Sequence, residues 1–455
     1  MTVGLRTARG RGILLATALG SGVAFLDSTV VNVALPVLGR ELRAGIAGLQ
    51  WTVDAYLLTL TSLLLLGGSL GDAAGRRKTF VAGLVWFMIA SVACGLAPSI
   101  GALIAARAVQ GAGAALLVPG SLAVLRSSFT DDEQGQAIGA WAGLSGVTAA
   151  VGPLLGGWLI TAWSWRVIFF LNLPLVAAAT WAALRCIPES RTRGPLRIDV
   201  PGAAAATVGL GGCVYALIES AAHGPGVGAA AALGAASLAA FVWIEGRTTN
   251  PMLPLDLFRS RQFSGANAVT LAVYFAMGGA TFLLIIHLET VLGYSPLAAG
   301  AALTPLTLLL LVLSSPAGKL ASRIGYRAPM TAGPVIAAAG VALLAHAHEG
   351  SSYLSGVLPG TAVLGLGLAT TVAPLTTAVL AGADERHAGV AAAVNTAISR
   401  LAGLLAVALL PLLAGIAAAD AASLAAGFPR AMWICAGLSA AGGLCALLTL
   451  RSGRR

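Results

Sequence analysis

Residues 68–78 read GSLGDAAGRRK, and residues 318–327 read GKLASRIGYR. Both follow an apolar run, share G-x-L, place a polar residue next, and close on G-x-R before a second apolar run. A second pair repeats at similar spacing: GAGAALLVP at 111–119 and GLGLATTVAP at 365–374. A chain that repeats such elements in order is built from two like halves. What those halves are follows from the apolar runs around them.

Of the 455 residues, 58% are hydrophobic and 10% are charged. Soluble domains carry about 25% charged residues, so this composition excludes an ordinary soluble enzyme. Apolar segments lie near 12–36, 49–70, 79–97, 99–125, 136–161, 166–187, 200–219, 227–244, 265–288, 298–318, 329–345, 353–380, 388–416 and 429–450. Each approaches the roughly 20 residues that cross a bilayer as helix. Fourteen spans put both termini on one side. Of the 27 Lys and Arg, 21 fall in the tails and alternate loops that would be cytoplasmic. Four (Arg40, Arg43, Arg166, Arg430) fall on the opposite side, and Arg107 and Arg400 lie within spans. The positive-inside rule then predicts both termini in the cytoplasm. The first run is read as a retained span, because no small-residue cleavage site follows it. The net charge of +10 is explained by these loops rather than by nucleic acid.

The repeated elements fall in spans 2–3 and 10–11, and in spans 4 and 12. That offset predicts two six-helix halves, residues 1–187 and 265–455, with an inserted helix pair and its loops at 188–264. A twelve-span count would require dissolving two segments, the weakest being 200–219 and 227–244.

Within the first span, FLDSTVVNVALP (25–36) places Asp27 in an apolar run. A carboxylate there costs about 2.5–3.5 kcal/mol on the insertion scale. Arg107, in the fourth span, is similarly costly. At 1.5 Å rise per residue, Arg107 lies about 7 Å to the outer side of its span's midpoint, and Asp27 roughly 4–5 Å. Matched depth makes each a partner for the other. The alternative for Arg107 is a structural role, bonded to carbonyls of the first span.

Five stretches, in order, carry a family resemblance: LDSTVVNVALP (26–36), GGSLGDAAGRRK (67–78), RAVQGAGAA (107–115), GLSGVTAAVGPLLGGWL (143–159) and WSWRVIFFLNLP (163–174). With them the whole chain resembles a fourteen-helix drug:proton antiporter of the major facilitator superfamily, similar to methylenomycin-type antibiotic-resistance exporters. The resemblance implies an all-α membrane fold, alternating access, and the proton gradient as energy source with no cofactor. It also implies a cytoplasmic gate at the first repeated turn (Gly71, Asp72, Gly75, Arg76, Arg77), and a role for Arg107 in proton transfer. Gly143, Gly152, Pro153, Gly156 and Gly157 match the pattern that the family associates with export.

The residues themselves give reasons. Gly71 and Gly75 suit a tight turn. An Asp72–Arg pair would latch helices of the two halves and break on opening inward; the bland reading is that Arg76–Lys78 only anchor topology. Ala73 stands where the family often has a basic residue, and Ser322 replaces the acid in the second copy, so a one-sided latch is expected. Pro153 removes a backbone hydrogen bond and the nearby glycines allow close packing. Burial disfavours a charged carboxylate and a neighbouring guanidinium favours it, so a conformational cycle that alters either can load and unload a proton. Asp27 is therefore the expected coupling residue, and when free it would also receive a cationic or hydrogen-bonding drug.

Asn32, Gln110, Glu289 and Arg400 are candidate cavity residues. Asp54, Glu219 and Glu289 sit towards outer span ends, where a hydrated, interfacial position competes with a functional one. Around Arg400 the family commonly has R-Q-x-G-G, whereas Leu401 and Ala402 stand here. The expected partners are a small amphipathic drug or metabolite, protons and the bilayer, with the chain acting as a monomer. The five scattered cysteines imply neither disulfide nor metal site. His346 and His348 form an H-x-H in an outer loop, a weak metal signal. No phosphate loop occurs, and Gly111 and Gly113 follow no strand, so neither nucleotide motif is present. Export of an endogenous metabolite and nutrient symport are the remaining transport readings. An embedded enzyme would need a His or acid cluster that the sequence lacks.

Overall fold

The computed structural model describes residues 3–191, 199–220, 224, 226–248, 251–383 and 388–450. Arg193, Arg197, Arg386, Arg451, Arg454 and Arg455, used above to orient the chain, lie outside the described residues. The described residues form helices and no strand. The first nine helices are α1 (Ala8–Glu41), α2 (Ile46–Ala74), α3 (Arg76–Gly95), α4 (Ile100–Ser128), α5 (Asp131–Ala162), α6 (Arg166–Phe170), α7 (Asn172–Cys186), α8 (Val200–Ser220) and α9 (Val227–Glu245). The remainder are α10 (Arg261–Thr290), α11 (Pro296–Ala302), α12 (Thr304–Ile324), α13 (Arg327–Leu344), α14 (Leu358–Ala381), α15 (Ala388–Ala414) and α16 (Ala421–Thr449). With α6–α7 and α11–α12 each counted as one span, 14 among the described residues are long and apolar enough to cross a membrane. Every backbone polar group in hydrocarbon needs an internal partner, which is why apolar runs of this length become helices.

The chain divides into two compact units. One comprises 1–44, 51–213 and 228–252; the other comprises 45–50, 214–227 and 253–455. Each repeats one packing scheme. In the first unit α1 packs on α5 and α3 on α4; in the second α10 packs on α15 and α13 on α14.

The repeated G-x-G explains the scheme. A Cβ added at Gly113 would lie 2.9 Å from the Phe87 amide nitrogen of α3, and one at Gly367 would lie 2.6 Å from the Ala337 Cα of α13. One turn-face away, a Cβ at Gly111 would run into Tyr56 and Thr59 of α2, and one at Gly365 would lie 2.8 Å from the Leu306 Cα of α12. Each glycine pair thus lets the fourth span of its unit touch the second and third at backbone distance, the close approach that drives helix association in lipid. The turn glycines match too: Gly75 has φ +116° and Gly325 has φ +84°, left-handed backbone that side chains disfavour.

Gly367→Ala is expected to destabilise the protein by about 1–3 kcal/mol, because the obstructing atoms are backbone and cannot swing aside. Thermal unfolding in detergent checks this. Gly437→Ala, where an added Cβ meets nothing within 4 Å, is the neutral control.

Candidate functional site

Asp27 lies in α1 with 3% of its surface exposed, and Arg107 in α4 with 1%. The two form an ion pair through Arg107 Nη1 and Asp27 Oδ2. Gln110 Nε2 donates to Asp27 Oδ1 at 2.9 Å, and Asn172 Nδ2 donates to the same oxygen at 3.0 Å. Ser91 Oγ of α3 accepts from both amides, at 2.9 Å from Gln110 and 3.2 Å from Asn172. Arg107 and Gln110 share a face because they are three residues apart on a helix. Asn172 opens α7 just after the break at Leu171.

Arg107 does not depend on Asp27 alone. Its Nε donates to the Thr52 carbonyl of α2 at 3.1 Å and Nη1 also reaches Gln110 Oε1 at 2.6 Å. Its guanidinium stacks 4.3 Å from the Tyr56 ring centroid. The Tyr56 hydroxyl donates to the Ala24 carbonyl at 3.2 Å, tying that ring to α1. A buried guanidinium with a carbonyl, an amide oxygen and an aromatic face retains partners if Asp27 takes up a proton. Chemically, the site can switch one carboxylate between charged and neutral forms without stranding the arginine.

The matched depths of Asp27 and Arg107 are thus realised as contact. Gln110, expected on a cavity wall, is instead fully buried inside this network. The reading of Asp27 as a free acceptor for a cationic drug does not describe this conformation, since three donors already occupy its oxygens. Ser91, Asn172 and Tyr56 were missed. Asn172 stood within the quoted WSWRVIFFLNLP stretch, and its polarity in a span was the available signal.

The export-associated glycines lie beside this site. A Cβ at Gly152 would lie 3.1 Å from Thr29 Cβ, and one at Gly156 2.8 Å from Val30 Cγ1. They seat α5 on α1 two and three residues past Asp27. Gly157 and Pro153 are buried, and α5 continues as helix through Pro153. Gly143 is exposed, and a Cβ there would meet nothing within 4 Å, so close packing does not account for it.

At the turn between α2 and α3, Arg76 Nη2 and Nε donate to Asp72 Oδ1 at 2.7 and 2.9 Å. The Asp72 pair expected to latch two halves is here an i,i+4 bond within one turn. Gly71 also departs from expectation: it lies inside α2, without positive φ, so only Gly75 supplies the turn conformation. The turn is held from a segment that sequence reading passed over. Arg76 N donates to the Ser190 carbonyl at 2.9 Å and Arg77 N to Glu189 Oε1 at 3.2 Å. Ser322, the counterpart of Asp72, donates to its own helix at Lys319 O, 2.7 Å away.

A half-exposed i,i+4 pair contributes only about 0.3–0.5 kcal/mol, so Asp72→Asn is expected to spare folding yet slow transport several-fold, whereas Ser322→Ala changes it little. Initial efflux rates at matched expression check this; equal losses would remove the one-sided gate.

Two of the other acids, Asp54 and Glu289, depart from the interfacial reading. Asp54 is fully buried, nine residues into α2, and neither carboxylate oxygen has a hydrogen-bond partner among the described residues. Glu289 is buried near the end of α10, while Glu219 is half-buried at the end of α8. Asn32 and Arg400 are half-buried. No cluster of three or more metal-ligating side chains occurs among the described residues.

Residues 17–407 match the family model of the Major Facilitator Superfamily. The multidrug resistance protein Stp of Mycobacterium tuberculosis is 36% identical over 392 residues, 84% of this chain and 72% of that protein. The methylenomycin A resistance protein of Streptomyces coelicolor is 35% identical over 404 residues, covering 86% and 83%. The puromycin resistance protein of Streptomyces alboniger is 37% identical over 392 residues, covering 85% and 78%. Among solved structures, a POT family transporter in complex with a thioalcohol-conjugated peptide superposes with TM-score 0.71 at 14% identity, over 96% of this chain and 95% of that one. At that identity it speaks for the fold alone. With the family model spanning most of its length and relatives above 30% identity, the chain belongs to the Major Facilitator Superfamily.

Proposed function

We propose that the chain is a proton-coupled antiporter that exports a small amphipathic drug or antibiotic across the cytoplasmic membrane, with Asp27 as the carboxylate that carries the proton. The observation that supports this best is the buried Asp27–Arg107 pair, held by Gln110 and Asn172 inside a unit of this family's fold. A charged pair in hydrocarbon is costly, and a cycle that protonates the acid gives it a use. The relatives named for drug and antibiotic resistance support the direction and the class of cargo. In this reading both termini face the cytoplasm, the chain works as a monomer, and the proton gradient is the sole energy source. The halves 1–187 and 265–455 alternate access, with the pair at 188–264 inserted between them in sequence.

Susceptibility profiling of a sensitive host, with and without the protein, tests this. Expression should raise tolerance to some amphipathic antibiotics, and a protonophore should restore accumulation of the same compounds. Unchanged tolerance and accumulation across a broad panel, or export that persists after the proton gradient collapses, would overturn it.

A further inference from the structure

Arg400 is the thirteenth residue of α15, and Tyr274 the fourteenth of α10. Both helices run outward from their cytoplasmic ends in the topology predicted above, so at 1.5 Å per residue both residues lie about 18–20 Å along them, near mid-membrane. Both are half-buried. A guanidinium at that depth does not spend its exposed part on hydrocarbon; such residues face a bundle interior or aqueous space. Tyr274 thus stands at the depth of Arg400 on the helix that packs against α15.

The two helices are fastened on either side of this pair. On the cytoplasmic side, Asn395 Nδ2 donates to Asn267 Oδ1 at 3.0 Å and to Thr270 Oγ1 at 2.7 Å. On the outer side, a Cβ at Gly278 would lie 3.3 Å from the Gly403 Cα. The Asn395 contacts lie one to two turns from Arg400 and Tyr274, and the Gly278 contact about one turn. Close by, the hydroxyls of Thr396 and Ser399 donate to their own helix, at 2.9 and 2.8 Å.

We infer that Arg400 and Tyr274 are the recognition point for an ionised oxygen of the cargo, a carboxylate, phenolate or enolate on an apolar body. This deepens the export reading and rests on it. A guanidinium offers a planar fork matched to such a group, and the phenol adds a second donor. The same charge repels a cationic drug. Asp27, the carboxylate that would otherwise favour cations, already accepts three donors. Asn395 and Gly278 hold α10 and α15 together on either side of the two residues.

Pyrenebutyrate and a pyrenylmethyl-trimethylammonium salt present the same apolar body with opposite charge. Binding of each to the purified full-length protein in detergent is measured by fluorescence. The anion is expected to bind about tenfold tighter or better. Arg400→Gln should remove that preference by weakening the anion and leaving the cation unchanged or stronger. Arg400→Lys should keep part of it, and Tyr274→Phe should cost the anion a smaller factor. Equal binding of the two probes, cation preference, binding of neither, or an Arg400→Gln loss shared by both would overturn the inference. Thermal unfolding of each variant identifies any that fails to fold; Tyr274→Phe, which removes one hydroxyl, then carries the test. Anion preference in a protein whose expression confers no protonophore-sensitive export would instead break the antiport reading and leave the binding site standing.

Discussion

Asp27→Asn is expected to abolish uphill export while the protein still folds, inserts and binds its cargo. The exchange is nearly isosteric. An asparagine oxygen can still accept from Arg107 or from one of the two amides, and its new NH2 group will face a donor that previously found an acceptor. Leaving one buried donor unsatisfied costs about 1–3 kcal/mol, felt in thermal stability and compatible with a folded chain. What is lost entirely is the group that changes charge. In reconstituted vesicles, a pH gradient should therefore drive no accumulation in the Asn variant, while energy-independent exchange of labelled for unlabelled cargo continues. Retention of a proton-driven gradient would remove Asp27 from the coupling step. Loss of both processes, with unfolding normal, would mean that Asp27 shapes binding rather than coupling.

The second large effect concerns Arg107. Removing one partner of a buried ion pair costs about 3–5 kcal/mol, because the other charge is left in a medium that cannot solvate it. Arg107→Ala should thus lower thermal stability sharply, unless Asp27 takes up a proton and stays neutral. Either response stops transport, since an acid that remains neutral releases nothing. The double variant Asp27→Asn with Arg107→Ala should recover part of the lost stability and none of the lost transport. A double-mutant cycle on unfolding in detergent should give a coupling of about 2–3 kcal/mol, the upper range for residues in direct contact. A coupling near zero would show that Arg107 is held by Thr52, Gln110 and Tyr56, with Asp27 contributing little. Arg107→Lys keeps the charge but cannot reach Asp27, Thr52 and Gln110 from one planar group, so partial activity is expected.

These residues also show where sequence reading succeeds. The spans were legible because an apolar run of bilayer length has one backbone solution. The twofold scheme was legible because Gly75 and Gly325 need left-handed backbone, and because Gly113 and Gly367 abut other helices at backbone distance. Such positions accept no other side chain at low cost. The pairing of Asp27 with Arg107 was legible because rise per residue is constant, so sequence position converts directly to depth.

Rotation about the helix axis has no such ruler, and each misreading traces to it. Gln110 turned inward to the ion pair rather than towards a cavity. Asp54, near an outer span end, proved buried rather than hydrated. Asn172 reached Asp27, and Ser91 reached the Asn172 amide, from helices that sequence spacing could not orient. Asp72 found Arg76 within its own turn, and Glu189 closed on that turn from more than a hundred residues away. By itself the sequence determined the number of spans, the repeat and the depth of each polar group, because these follow from helix rise and bilayer thickness. The tertiary structure alone decided which polar groups meet, because azimuth is settled only when small residues such as Gly152 and Gly156 bring particular helix faces together.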